Sequence, residues 1–273
     1  MKQKIMFLLH AVISQIKSHY GLNLEKFEML TVQTIHPQSG FFIKTIPSTL
    51  KLSAELANEI DSLWLTFQKR QGKELFNGRI LSAATITNEK IEASITEYRY
   101  LIAQQARPEL FNALQLRAIG VSGLLLCADG LVFGRRADKV TQGAGLWELV
   151  PSGSIDASKI VDPENVDFLS QILTELQEET GIKAEKITQM RPFCVVEDSN
   201  SHVLDIGIVI KCPLLFDEIV AIHQNNATNE YDELRLIPIA RVSQIMKQEA
   251  AQFVEVSAVL IQHFQQQSLD NKV

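Results

Sequence analysis

The stretch from Pro163 to Ile182 constrains this chain more than any other. Val166, Leu169, Ile172, Leu173 and Leu176 recur at helical spacing and draw one apolar stripe along a helix over 163–180. Asp162 suits the N-cap, Pro163 the first helical position, and Gly181 the left-handed position that closes a helix. A helix of this kind must bury its stripe against other elements. Glu175, Glu178 and Glu179 stand at i, i+3 and i+4 and share a different face. At about 100° per residue that face lies roughly 125° from the stripe. Like charges so placed destabilise a bare helix by about 0.2–0.5 kcal/mol per pair, and the helix C-terminus disfavours them further. No Lys or Arg lies on the helix to offset them. A hard divalent cation held by carboxylate oxygens would resolve the conflict. A solvated acidic face is the ordinary alternative.

The elements around this helix alternate in type. Arg117–Leu126 and Leu131–Arg136 read as a hairpin turning at Ala128-Asp129-Gly130. Leu146–Pro151 is a short extended segment, and Gly153–Asp162 a loop. Further strands are predicted at Ile187–Glu197, His202–Lys211 and Leu234–Ile237, and helices at Ala240–Lys247 and Gln252–Gln266. Upstream, the spacing predicts helices over Ser53–Lys69 and Tyr98–Gln105 and β segments over Glu28–Ile35, Gly40–Lys44, Gly78–Thr87 and Lys90–Thr96. The pattern implies an α/β (α+β) fold in two parts, an N-terminal α/β module over 1–115 and a mixed-sheet domain over 116–273. No flexible linker separates them, so the two are expected to pack together.

Bulk properties narrow the function. The net charge of −6 on 273 residues gives no footprint for nucleic acid. An acidic site for a polyanion would need a bridging cation. The three cysteines, Cys127, Cys194 and Cys212, lie far apart in apolar runs. They read as buried reduced thiols and fit a cytoplasmic location better than a zinc site or a disulfide framework. Near the N-terminus, Ile5, Leu8, Leu9, Val12, Ile13 and Ile16 suggest an amphipathic helix rather than a leader peptide. No run reaches the ~18 apolar residues of a membrane span.

The segment Thr174-Glu175-Leu176-Gln177-Glu178-Glu179-Thr180-Gly181-Ile182, preceded by Pro151-Ser152-Gly153, resembles the signature of the Nudix hydrolase family. The family's box ends in R-E-U-x-E-E-x-G-U, where U is a bulky aliphatic residue. Thr174 stands in the place of the Arg, which orients the neighbouring carboxylates in the family. The spacing from Gly153 to the helix is longer than the family's, and Glu164 is the nearest counterpart of its first loop glutamate. Phe76-Asn77-Gly78-Arg79, Thr96-Glu97-Tyr98-Arg99, Ile119-Gly120-Val121 and Gly134-Arg135-Arg136 resemble a subgroup of UDP-glucose diphosphatases with an N-terminal module. The resemblance implies an α/β/α sandwich around a mixed sheet and Mg²⁺-dependent cleavage, with Mn²⁺ as the alternative metal. A nucleoside-diphosphate sugar would yield a nucleoside monophosphate and a sugar phosphate. It implies Glu175, Glu178 and Glu179 as metal ligands and catalytic groups.

Other residues are candidates on their chemistry. Gly153 would let backbone amides approach phosphate, or is an ordinary loop glycine. Arg135 and Arg136 could grip phosphate or form surface ion pairs. Trp147 could stack on a base or sit half-buried at a seam. Glu230 and Glu233, with Asp232 between them, are candidates for the general base, with a solvated loop as the alternative. His202 and His223 lack ligand spacing. Competing functions are an ADP-ribose or dinucleotide pyrophosphatase and a non-catalytic nucleotide sensor on the same scaffold. An isoprenyl-diphosphate isomerase is a further one. A small-molecule nucleotide partner is expected and a membrane is not. A homodimer is compatible with the sequence.

Overall fold

A computed structural model describes residues 30–34, 40–71, 76–138, 143–226 and 230–270. The expected N-terminal amphipathic helix lies outside the described residues. So does part of the predicted strand Glu28–Ile35, of which β1 (Leu30–Thr34) is described. Next come β2 (Phe42–Thr45), α1 (Ala54–Gln71), β3 (Arg79–Ile86), β4 (Lys90–Glu97), α2 (Tyr98–Ala106) and α3 (Phe111–Leu114). The chain continues through β5 (Ala118–Leu126), β6 (Leu131–Arg136), β7 (Trp147–Leu149), β8 (Ser152–Ser154) and α4 (Phe168–Thr180). It ends with β9 (Gln189–Asp198), β10 (Val203–Lys211), α5 (Phe216–Gln224), β11 (Tyr231–Ile237), α6 (Ile239–Gln248) and α7 (Glu255–Asp270). Among the described residues no helix is long and apolar enough to cross a membrane.

The strands form one mixed sheet of eleven. Its centre is the parallel pair β5–β10, in register from Ala118–Val203 to Leu126–Lys211. Parallel strands are covered on both faces, which explains the nearly continuous apolar runs of both. Their side chains alternate between the faces. Ile119, Val121, Leu204, Ile206 and Ile208 face a core shared with Phe168, Ile172 and Leu176 of α4. Leu124 and Val209 face a second core with Val242, Ile245 and Leu260 of α6 and α7. Helices therefore lie on both sides of the sheet, an α+β arrangement. The bond pattern continues across residue 115 through the β3–β5 pair Ser82–Ala118.

The predicted hairpin forms, but β5 and β6 pair only at Leu126–Leu131 and then diverge. β5 goes on to pair with β8 and β10, whereas β6 pairs with β7 and β11. The gap between these two halves is where polar side chains collect.

Two sequence expectations need correction. The helix over 163–180 starts five residues late, at Phe168, and its cap is Asp167, whose carboxylate accepts from the Ser170 N–H at 2.9 Å. The cause is tertiary: Val166 N–H donates to Ile43 O and Thr45 N–H to Pro163 O, so 163–166 runs beside β2 instead of coiling. Asp162 only accepts from Glu164 N–H in the turn before it. Asp167→Ala is expected to cost about 1 kcal/mol in urea unfolding and Asp162→Ala only a few tenths. Equal losses would return the cap to Asp162. The predicted loop 153–162 also begins as strand, because Ser152–Ser154 pairs with Gly120–Ser122 of β5.

Candidate active site

The order of side chains on β8 decides what meets α4. Gly153 lies opposite Val121, so it faces the α4 side of the sheet, while Ser152 and Ser154 face the other side with Ser122 and Gly120. A methyl group at 153 would fall 2.6 Å from Glu175 Cγ and 2.7 Å from its Oε1. Glycine here is a close-approach residue that lets the carboxylate lie on the backbone of β8. Glu175 Oε1 accepts from Gln171 Nε2 at 2.8 Å. Thr174 turns its hydroxyl back to Ser170 O at 3.0 Å. A neutral amide, that of Gln171, thus positions Glu175.

One turn further on, Glu179 is only 5% exposed. Its carboxylate accepts from Ser152 N–H at 3.2 Å and from the Tyr231 hydroxyl at 3.0 Å. The Tyr231 ring lies over Gly134, where a Cβ would come within 2.5–2.7 Å of ring atoms. Burial pushes the Glu179 carboxyl well above the usual carboxylate range, and the neighbouring charges of Glu148 and Glu175 push it the same way. Glu175 is raised by its own burial, against the Gln171 bond, and Glu178 and Glu230 add to the rise.

Glu148, on β7, is 4% exposed and was not among the candidates read from the sequence. It is paired with the Arg136 guanidinium, which also reaches Glu230 at 3.6 Å. Burial raises Glu148 while Arg136 opposes the rise. A sequence signal for it exists: Glu148 is a lone charge inside the apolar run Trp147-Glu148-Leu149-Val150. Such a charge is buried and must be paired.

The structure therefore brings together Glu175, Glu179, Gly153, Arg136 and Glu230, and adds Glu148, Tyr231 and Ser152. It leaves six candidates apart. Glu178 points to solvent. Arg135 and Glu233 pair with each other at 3.5 Å, both substantially exposed. Trp147 is buried in the second core, with the Arg235 guanidinium 5.6 Å from its ring centre. Glu164 forms an ion pair with Lys44 at 2.7 Å, on the edge at β2. Asp232 is exposed. Among the described residues no group of three or more His, Cys, Asp or Glu side chains is arranged to hold a metal ion. All three cysteines are free, with Cys194 and Cys212 buried.

A cavity of about 740 Å³ opens beside this cluster, within the range of roughly 300–1,000 Å³ common for ligand sites. Arg136, Glu148 and Glu230 line one end of it. Gly120, Ser122, Ser152, Ser154 and Asp205 line the other. Asp205 Oδ1 accepts from Ser122 Oγ at 2.9 Å, and burial lifts its carboxyl from 3.8 to about 6. Between these values the folded chain holds a proton that the unfolded chain has released. The stabilising contribution is complete below pH 3.8 and is lost as pH rises through about 6. At about 1.4 kcal/mol per pH unit it could reach ~3 kcal/mol, and screening of this partly exposed side chain brings it to about 1–2 kcal/mol. Asp205→Asn is accordingly expected to gain that amount over wild type at pH 7.5 and nothing at pH 3.5. Urea unfolding at both values checks it, and equal differences would refute the burial effect.

No protein-family model matches the sequence, and no curated protein matches it. Solved structures overlap it in part. A bifunctional NMN adenylyltransferase/ADP ribose pyrophosphatase from Francisella tularensis, crystallised with AMP and a manganese ion, is 17% identical over 62% of this chain and 46% of its own, with a TM-score of 0.42. A Nudix hydrolase from Nitrosomonas europaea is 12% identical over 54% of this chain and 87% of its own, at 0.35. NrtR from Shewanella oneidensis is 17% identical over 53% and 60%, at 0.33. Overlaps this partial assign neither family membership nor activity, and the chain spans under half the length of the bifunctional protein.

Proposed function

We propose that the chain is a hydrolase that cleaves the diphosphate bond of a nucleoside-diphosphate sugar, with Mg²⁺ as its cofactor. One observation carries this reading: the buried Glu179 is held beside Glu148 and Glu175, and Glu148 lines a ligand-sized cavity. So much like charge around a buried site stabilises nothing in the fold by itself. It suits a divalent cation, because the donors are hard oxygens and Arg136 and Lys159 are a small counterweight. Glu175 and Glu179 are the ligands we assign, with the exposed Glu178 able to approach from the same helix face. A bound Mg²⁺ would neutralise the diphosphate and lower the pKa of a coordinated water.

The remaining roles fall to this chain's own groups. Ser152 N–H and Tyr231 keep the Glu179 carboxylate in place. Gln171 does the same for Glu175. Arg136, paired with Glu148 and Glu230, lines the cavity and would share its guanidinium with the diphosphate. Of the two loop bases, Glu230 lines the cavity whereas Glu233 is turned toward Arg135. We assign water deprotonation to Glu230. The part of the chain before residue 115 supports the sheet edge in this reading. The test is incubation with Mg²⁺ and UDP-glucose, ADP-ribose or a dinucleoside polyphosphate, resolving the nucleotide products. UMP from UDP-glucose is expected. AMP from ADP-ribose alone would move the substrate, and tight binding with no product from any of them would make the chain a sensor.

A further inference from the structure

The cavity has two chemically different ends, and the end away from Arg136 has no work in the reaction as described. The cavity's sheet wall carries hydroxyls and a carboxylate, Ser122 on β5, Ser152 and Ser154 on β8, and Asp205 on β10, while Phe253, Val254 and Val256 give the cavity apolar surface as well. These strands run side by side, and all four residues project from the face of the sheet opposite α4. Gly120 stands directly across from Asp205 in the ladder, and a Cβ there would lie 3.1 Å from Asp205 Oδ1. With glycine at that position the carboxylate stays open to the cavity.

The acids at this end are not equivalent. Asp198 is used by its own turn, accepting from Asn200 N–H at 2.9 Å and Ser201 Oγ at 2.7 Å. Asp205 Oδ1 accepts from Ser122 Oγ, and among the described residues Oδ2 accepts from no protein group. A carboxylate oxygen that faces a cavity with no protein donor is an acceptor that a ligand's donor can satisfy. The diphosphate of a nucleoside-diphosphate sugar carries no proton at neutral pH and would be repelled. An aromatic base would lie on the apolar side chains of Phe253, Val254 and Val256 rather than among the serines. A ring with neighbouring hydroxyls supplies donors to Asp205 and both donors and acceptors to the serines.

Resting on the diphosphatase reading above, we propose that Asp205, set by Ser122, reads the hydroxyls of a glycosyl or ribosyl ring and so fixes which way round the substrate lies. The diphosphate is then left at the Arg136 end, beside Glu175 and Glu179. The anionic end excludes phosphate, and a substrate entering reversed would meet Asp205 with its charge.

Three ligands separate the sources of the hydroxyls: UDP-glucose, the UDP methyl ester that lacks the glycosyl ring, and 2′,3′-dideoxy-UDP-glucose that lacks the ribose diol. Their dissociation constants are measured calorimetrically on the Glu179→Gln chain, which is expected to hold substrate without consuming it. UDP-glucose should bind about 10- to 100-fold more tightly than one of the other two, and the weaker one names the ring that is read. Adding Asp205→Ala should erase that preference, while the isosteric Asp205→Asn, which retains one acceptor and the packing, should erase only part of it. Equal affinities for all three ligands, or a loss with Asp205→Ala that is the same for each, would overturn the proposal. Turnover by the wild-type chain is read separately: a chain that prefers UDP-glucose yet never cleaves it would defeat the hydrolase reading and leave the hydroxyl site standing. A chain that binds none of them would defeat both.

Discussion

Glu179→Gln is expected to lower kcat at least about 100-fold while leaving the fold intact. The amide has the same volume, and its oxygen can still accept from Ser152 N–H and the Tyr231 hydroxyl. What it loses is the charge that a cation would require. Since that charge is buried beside Glu148 and Glu175, removing it should hold the melting temperature or raise it by a few degrees, on the order of 1 kcal/mol. The pairing of lost turnover with retained or increased stability is the informative result. It distinguishes a carboxylate kept for chemistry from one kept for structure. A fully active variant would remove Glu179 from the mechanism, and a variant that unfolds would make it a structural acceptor.

Gly153→Ala should separate activity from stability by a different route. The added methyl group would lie 2.6–2.7 Å from Glu175 Cγ and Oε1, closer than any real contact. The obstructing atoms belong to the end of a flexible side chain, so the helix need not move. The carboxylate must swing off β8 and break its bond from Gln171 Nε2. The expected stability loss is below about 1 kcal/mol, because no core volume changes. The expected fall in kcat is on the order of 100-fold, the effect of misplacing a reacting group by about 1 Å. Urea unfolding and steady-state kinetics on the same preparation check both halves. Unchanged kcat would show that Glu175 can work from another rotamer, and the close approach to β8 would then have no functional meaning.

Three glutamates at i, i+3 and i+4 look alike in the sequence, yet the fold treats each differently. Glu179 is directed under β8, Glu175 lies along it, and Glu178 is left in solvent. Helical periodicity indicates that they share a face; only the neighbouring strand decides which part of that face is buried. Trp147 shows the opposite limit. Its type permits stacking on a base, but the 250–257 segment covers it, with Val254 N–H donating to Trp147 O. Arg135 and Arg136 are adjacent in sequence and alternate across β6, so one reaches Glu148 and the cavity while the other reaches Glu233 outside.

Local spacing by itself determined the amphipathic helix ahead of Gly181, the turn at Asp129-Gly130, most of the order of strands and helices though not α5 (Phe216–Gln224), and the clustering of acids at one helix end. These depend on backbone periodicity and on which residues tolerate a turn or a positive φ, and neighbours in sequence suffice for them. The tertiary structure alone decided where that helix begins, since Ile43 holds Val166 in extended chain from more than a hundred residues away. It also decided the membership of the site: Arg136, Glu148, Ser152, Glu179 and Tyr231 come from β6, β7, β8, α4 and β11. The burial of a carboxylate, its hydrogen-bond donors and the charges beside it are set by groups remote in sequence, and no local pattern encodes them.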